Sequence, residues 1–278
     1  MSARSERDLS GRTALITGAG TGIGRGIALA LARRGAHIVL CGRRGAPLAA
    51  VAAEVEALGS KTTIAQGDVT DAAARLHMLE TTHAAFGLVH ILVNNAGILA
   101  SGALFQLSGE EIARAVATNL TAPIDLTRLV LSDLAQVRGS AVFVGSTSSH
   151  VPLPYTALYS GTKGGLHGFC TSLRSELAPL GVHLLEVYPP MVATAMTEGM
   201  ARRAGPWQMR PQTPEDAGER IAAALAAGKS ELAWGSAERW LLRLHRCAPR
   251  LVDALLRTQR RRFAHIMTPE PAGKERYG

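Results

Sequence analysis

The sequence predicts an α/β fold, a doubly wound parallel sheet of about seven strands followed by a helical, basic C-terminal extension. Three observations predict it. Short apolar runs alternate with longer stretches of helical periodicity, the pattern of βαβ units whose sheet is covered on both faces. A glycine turn, Gly18, Gly22 and Gly24, separates the first apolar run from an Ala/Leu-rich helix. Beyond the last strand, arginines and leucines interleave over residues 239–262.

The strands read in order as TALIT (13–17), HIVLC (37–41), TTIAQ (62–66), ILVN (91–94), SAVFVG (140–145), HLLEVY (183–188) and ELAW (231–234). Helices fill the intervals near 22–34, 47–58, 71–86, 109–134, 157–178 and 214–227. The last of these opens on Thr213 as cap, Pro214 in first position, then Glu215 and Asp216. Residues 196–212, rich in Gly, Pro and Met, are expected to form a mobile loop between the sixth strand and that helix. The division is therefore a domain at 1–237 and an extension at 238–278, which Pro249 is expected to break into two helices.

Of the 278 residues 47% are hydrophobic and 19% charged, a globular composition. There is no uninterrupted apolar run of about eighteen residues, and the N-terminus lacks the apolar core of a signal peptide. Cys41, Cys170 and Cys247 lie far apart without a CxxC pair, and the nine histidines show no HExxH spacing. No disulfide framework or metal site is expected, and the cysteine usage fits a reducing cytosol. The net charge of +8 sits almost wholly in residues 239–262, with eight arginines against Asp253. The remainder is nearly neutral, so a nucleic-acid partner is not expected. The extension carries Trp240, Leu241, Leu244, Leu251 and Leu255 at helical spacing. Such an element can make peripheral contact with an anionic membrane, pack on the body, cover the substrate cleft or complete an oligomer. Packing or oligomer contact is the favoured expectation.

Two stretches carry chemistry. In TGAGTGIG (17–24), glycine permits a tight turn and close backbone approach, and the following helix aims free N–H groups at a phosphate. In YSGTK (159–163), Tyr159 and Lys163 lie one helical turn apart. Alone, such a pair is an ordinary feature of a helix surface. Beside a nucleotide loop it becomes a general acid/base: a phenol titrates near 10, and a neighbouring ammonium favours its phenolate. Asn119 stands in the 109–134 helix despite poor helical propensity.

These blocks, with GDV (67–69), NNAG (94–97), TNL (118–120), Ser146 and YPPMVAT (188–194), occur in an order that resembles the classical short-chain dehydrogenase/reductase (SDR) family over roughly residues 10–235. The resemblance implies a Rossmann-type NAD(P)-binding catalytic domain in a homodimer or homotetramer. It implies that Gly18, Thr21, Gly22, Ile23 and Gly24 surround the pyrophosphate, and that Asp68 and Val69 contact the adenine. Asn95, Ala96 and Gly97 would line the ribose floor. Pro189, Val192 and Thr194 would lie at the nicotinamide, where Pro190 replaces the usual glycine. Tyr159 would exchange the proton, with Ser146, thirteen residues earlier, binding the same substrate oxygen. Lys163 would bond the nicotinamide ribose, and Asn119 would hold a relay water. Specificity is expected in the 191–212 loop and in Ile98, Leu99 and Leu153, whose apolar character suggests a hydrophobic substrate.

After the second strand, where an acid would grip a ribose 2′-hydroxyl, stand Gly42, Arg43 and Arg44. Two guanidiniums suit a 2′-phosphate, so NADP(H) is expected over NAD(H). The expected function is a cytoplasmic NADP(H)-dependent oxidoreductase interconverting a small-molecule carbonyl and a secondary alcohol. The alternatives are a catalytically silent NADP-binding regulator and a membrane-associated interaction protein.

Overall fold

Seven short runs, rich in residues that pack on a pleated surface, become strands. They are β1 (Thr13–Thr17), β2 (His37–Gly42), β3 (Thr62–Gln66), β4 (Ile91–Asn94), β5 (Ser140–Val144), β6 (His183–Tyr188) and β7 (Glu231–Ala233). All pair in parallel in the order β3-β2-β1-β4-β5-β6-β7. The order reverses between β1 and β4, which opens a crevice at the carboxyl ends of the strands, where α/β folds place ligands. The structure, a computed structural model, describes residues 7–204 and 211–268. Residues 1–6, part of the expected 196–212 loop and the end of the 238–278 extension lie outside the described residues.

The helices are α1 (Gly22–Ala32), α2 (Gly45–Ala57), α3 (Ala72–Phe86), α4 (Gly109–Val116), α5 (Ala122–Val137), α6 (Ala157–Leu177), α7 (Ala195–Ala204), α8 (Pro214–Ala226), α9 (Ser236–Cys247), α10 (Pro249–Thr258) and α11 (Arg260–Met267). The two-residue period of β1 sorts them into layers. Ala14 and Ile16 face a core shared with α1, α2 and α8, while Leu15 faces a core shared with α3, α5 and α6. Helices α1 and α8 cross backbone to backbone. A Cβ added to Gly26 would lie 1.9 Å from the Pro214 carbonyl oxygen, and one on Gly218 would lie 2.1 Å from the Gly26 carbonyl carbon. Arg25 reinforces the crossing by pairing with Glu54 and Glu215. Among the described residues no helix is long and apolar enough to cross a membrane.

Three segments depart from expectation. The 109–134 helix is interrupted by a π-helical turn at Ala117–Thr121. Pro123 has no N–H to give the Asn119 carbonyl, and the register opens so that the Ala122 N–H reaches back to Ala117. The expected 196–212 loop begins instead as α7: the Thr197 and Glu198 amides bond the Thr194 carbonyl, and the Thr197 hydroxyl accepts from the Thr194 N–H. The extension folds as three helices, not two. Pro249 makes the first break. The second falls at Gln259, just before the all-arginine run 260–262, and separates the apolar stripe of α10 from Phe263 and Met267 on α11.

Candidate active site

The site starts at the end of β1. Gly18 turns at φ +64, and a Cβ there would stand 2.9 Å from Asn95 Nδ2. The contact is tight because the loops after β1 and β4 are stitched together. Thr17 Oγ1 accepts from the Asn95 and Ala96 amides at 3.0 Å each, and Asn95 Nδ2 donates to the Thr17 carbonyl at 2.8 Å. Gly24 lies under the turn, where a Cβ would meet the Gly18 carbonyl oxygen at 2.3 Å. Gly22 also has positive φ, and Thr194 from the loop before α7 closes to within 2.9 Å of where its Cβ would be. Thr21, the N-cap of α1, makes no side-chain cap, and the first turn holds no acid. The helix start therefore directs backbone N–H groups and positive partial charge into the crevice, a fit for the pyrophosphate that the family implies.

A cavity of about 620 Å³ runs from this turn along the carboxyl edge of the sheet. The sequence-predicted site residues Gly18, Thr21, Gly22, Ile23, Arg43, Asp68, Val69, Asn95, Ala96, Gly97, Ser146, Tyr159, Lys163, Pro189, Val192 and Thr194 all line it. Gly24 and Asn119 do not. Gly24 supports the turn from below. Asn119 stands behind the wall, accepting from the Ile98 N–H at 2.8 Å and donating to the Ile98 carbonyl at 2.9 Å and to Thr162 Oγ1 at 3.2 Å.

Arg43 and Arg44 reach the nucleotide end beside Pro47 and Leu48. Arg43 lies 3.7 Å from Asp68. Burial works against the Asp68 carboxylate, but the Thr70 amide and hydroxyl and the Arg43 charge hold it below the usual carboxylate range.

At the other end, Ser146 follows β5. Its Oγ accepts from the Ser148 N–H at 3.1 Å, and Ser146 lines the same cavity as the Tyr159 phenol. Burial pushes that phenol above its ordinary value, and the Ser146 contact draws it partly back. Lys163 contributes less than the one-turn spacing suggested. Its ammonium donates to the Val144 carbonyl at 2.8 Å and lies 6.0 Å from the centroid of the Tyr159 ring. Burial also lowers Lys163 itself to about 8, so part of its charge is lost near neutral pH. One turn further along α6, His167 Nδ1 sits 3.1 Å from both oxygens of Glu186, which is fully buried on β6.

The extension takes one of the places left open for it, as a cover, or roof, over the substrate cleft, with part of α7 beside it. Met196 and Met200 of α7, Leu241 and Leu242 of α9, Leu256 of α10, and Phe263 and Met267 of α11 all line the cavity. Helical leucine spacing in the extension was the available signal. It marks an apolar face without saying what the face covers.

A family model described as short chain dehydrogenase matches residues 12–204. An uncharacterized oxidoreductase of Myxococcus xanthus is 36% identical over 191 residues, 68% of this chain and 76% of that protein. The 3-oxoacyl-acyl-carrier-protein reductase of Escherichia coli is 35% identical over 201 residues, 71% of this chain and 81% of that protein. Among solved structures, a short-chain type dehydrogenase/reductase from Mycobacterium marinum superimposes with a TM-score of 0.75 at 28% identity, covering 81% of this chain and 93% of its own. An alcohol dehydrogenase from Thermococcus sibiricus, complexed with 5-hydroxy-NADP, gives 0.72 at 27% identity, covering 80% and 94%.

Proposed function

The chain belongs to the short-chain dehydrogenase family, oxidoreductases acting between CH–OH and C=O with NAD(P), and from that premise we propose that it is an NADP(H)-dependent enzyme for an apolar carbonyl or secondary alcohol, with Tyr159 as its general acid/base. The observation that carries the reading is that Ser146, Tyr159 and Lys163 line the same cavity as the glycine turn. A bound nicotinamide would supply or accept the hydride. In the reductive direction the Tyr159 O–H donates its proton to the substrate oxygen as negative charge develops there. The Ser146 hydroxyl bonds the same oxygen and stabilises that charge. A phenol kept protonated by burial is already in the form reduction needs. Lys163 and the Asn119 turn hold the floor of the site and the cofactor ribose. Arg43 and Arg44 favour a 2′-phosphate.

An apolar substrate body is supported by the roof, whose cavity-lining residues are leucines, methionines and a phenylalanine. Self-association is part of the proposal. A Cβ on Gly161 or Gly168 of α6 would meet nothing within 4 Å in this chain, whereas Gly165 is already packed on Leu120. Sedimentation equilibrium checks it, and a monomer at micromolar concentration would refute it.

Titration with NADPH and NADH, followed by nicotinamide fluorescence, tests the cofactor assignment. Tight NADPH and weak NADH binding is expected, with the preference reduced in Arg43→Ala. A screen of apolar ketones then compares wild type with Tyr159→Phe, whose kcat should fall by about 10²–10⁴ while NADPH binding is retained. Equal turnover by the two proteins would remove Tyr159 from the role.

A further inference from the structure

Helices α9, α10 and α11 carry some apolar residues turned inward and others that are exposed among the described residues. Inward, Leu242, Val252 and Met267 are buried, and Leu256 and Phe263 complete the cavity wall. On α10, Val252 and Leu256 form the inward pair, while each preceding residue, Leu251 and Leu255, is exposed at 61% and 50%. Trp240 on α9 is exposed at 63%. The same three helices carry Arg239, Arg243, Arg250, Arg257, Arg260 and Arg261, all exposed.

Some arginines in the body of the molecule are paired. Arg25, Arg34, Arg75 and Arg128 each pair with a carboxylate. Among the described residues none of those six on α9–α11 does, and Asp253 is the only acid between residues 239 and 262. Guanidiniums without a carboxylate partner among the described residues, on the same helices as an exposed tryptophan and two leucines, match a surface that offers anionic oxygens outside and hydrocarbon just beneath. Tryptophan and leucine settle at headgroup depth in such a surface, and arginine takes lipid phosphate. A symmetric second copy is a poorer match, since it would bring the same six arginines against themselves.

We propose that α9–α11 dock the protein on an anionic lipid bilayer, with Trp240, Leu251 and Leu255 entering the headgroup layer and the arginines engaging lipid phosphates. An α-helix with its side chains is about 10–12 Å across, and the inward residues of these helices line the cavity, so docking brings the apolar end of the catalytic cavity close to the bilayer. A substrate dissolved in the membrane would then reach Ser146 and Tyr159 with little exposure to water. This last point rests on the oxidoreductase reading; the docking does not.

The test uses the full chain and sedimentation with vesicles of phosphatidylcholine alone or mixed with phosphatidylglycerol. Wild type should pellet with the mixed vesicles, not with phosphatidylcholine, and should be released by salt. Arg250→Gln with Arg257→Gln should weaken partitioning about 30-fold, the effect of removing two basic residues at such a surface. Trp240→Ser with Leu251→Ser and Leu255→Ser should abolish pelleting while NADPH fluorescence titrates as in wild type. Failure of wild type to pellet, equal pelleting with neutral vesicles, or undiminished pelleting of either variant overturns the proposal. Absence of NADPH binding by wild type would instead defeat the oxidoreductase reading and leave the vesicle result standing.

Discussion

The two ends of the cavity are built differently. The nucleotide end is made of backbone: Gly18 and Gly22 at positive φ, Gly24 under the turn, and amides of the β4 loop bonded to Thr17. The roof is made of side chains from four helices, α7, α9, α10 and α11. A wall of backbone tolerates almost no change in residue type, because a single added Cβ would collide with main chain. A wall of leucine and methionine can be reshaped one side chain at a time, with neighbours shifting to fill the gap. The first arrangement serves a cofactor of fixed shape, and the second suits a substrate that differs between relatives.

That contrast can be broken at its rigid end. Gly26→Ala places a methyl group 1.9 Å from the Pro214 oxygen, so α1 and α8 must part. We expect a loss of about 4 kcal/mol or more in denaturant unfolding, with nucleotide binding lost alongside. A loss under about 1 kcal/mol would show that the crossing yields.

Lys163 lies where the two ends meet, and there the effect is smaller and of opposite sign. Its folded value of about 8 is below the ordinary 10.5, so the unfolded chain holds more protons between those limits. Stability therefore rises with pH across that window, and burial of the charge is fully unfavourable below it. Lys163→Met should be the more stable protein at pH 7 by about 2 kcal/mol, after allowing for the lost bond to Val144. The gap should close as pH rises from 8 towards 10.5. A pH-independent difference would assign the effect to packing.

The smallest effect is expected in the roof. Leu242→Ala, at a position 9% exposed and already bordering a cavity, should cost about 1–2 kcal/mol, at or below the bottom of the usual range for buried-leucine truncation. NADPH affinity should be unchanged and the KM for a bulky ketone altered. A change in NADPH affinity would mean that the two ends are mechanically coupled.

The same contrast explains what could be read from the sequence. All seven strands fall within a residue or so of where the apolar runs place them; for the central strands this is because burial on both faces leaves little choice of residue. Motif residues at the nucleotide end were legible because glycine and asparagine there answer to backbone geometry. Asn119 was visible as a defect in a helix, but the π-turn that explains it depends on Pro123, four residues on. Charge on the Tyr159 phenol was misjudged for another reason. Spacing gives distance along a helix, whereas the direction of the Lys163 ammonium is set by the Val144 carbonyl on a different element. The roof was only one of several places open to the extension, because its partners are far apart in sequence, as Val151 and Val252 are in their shared cluster.

The chain has only four lysines, at 61, 163, 229 and 274. One of them, buried at the cavity wall, is lowered to about 8. An amine this acidic is substantially an uncharged nucleophile in mildly alkaline buffer, while ordinary lysines remain ammonium. A small acylating or aldehyde reagent that fits the cavity should thus mark Lys163 at pH 8. Protection of that mark by NADPH would turn it into an active-site count for any preparation of the protein.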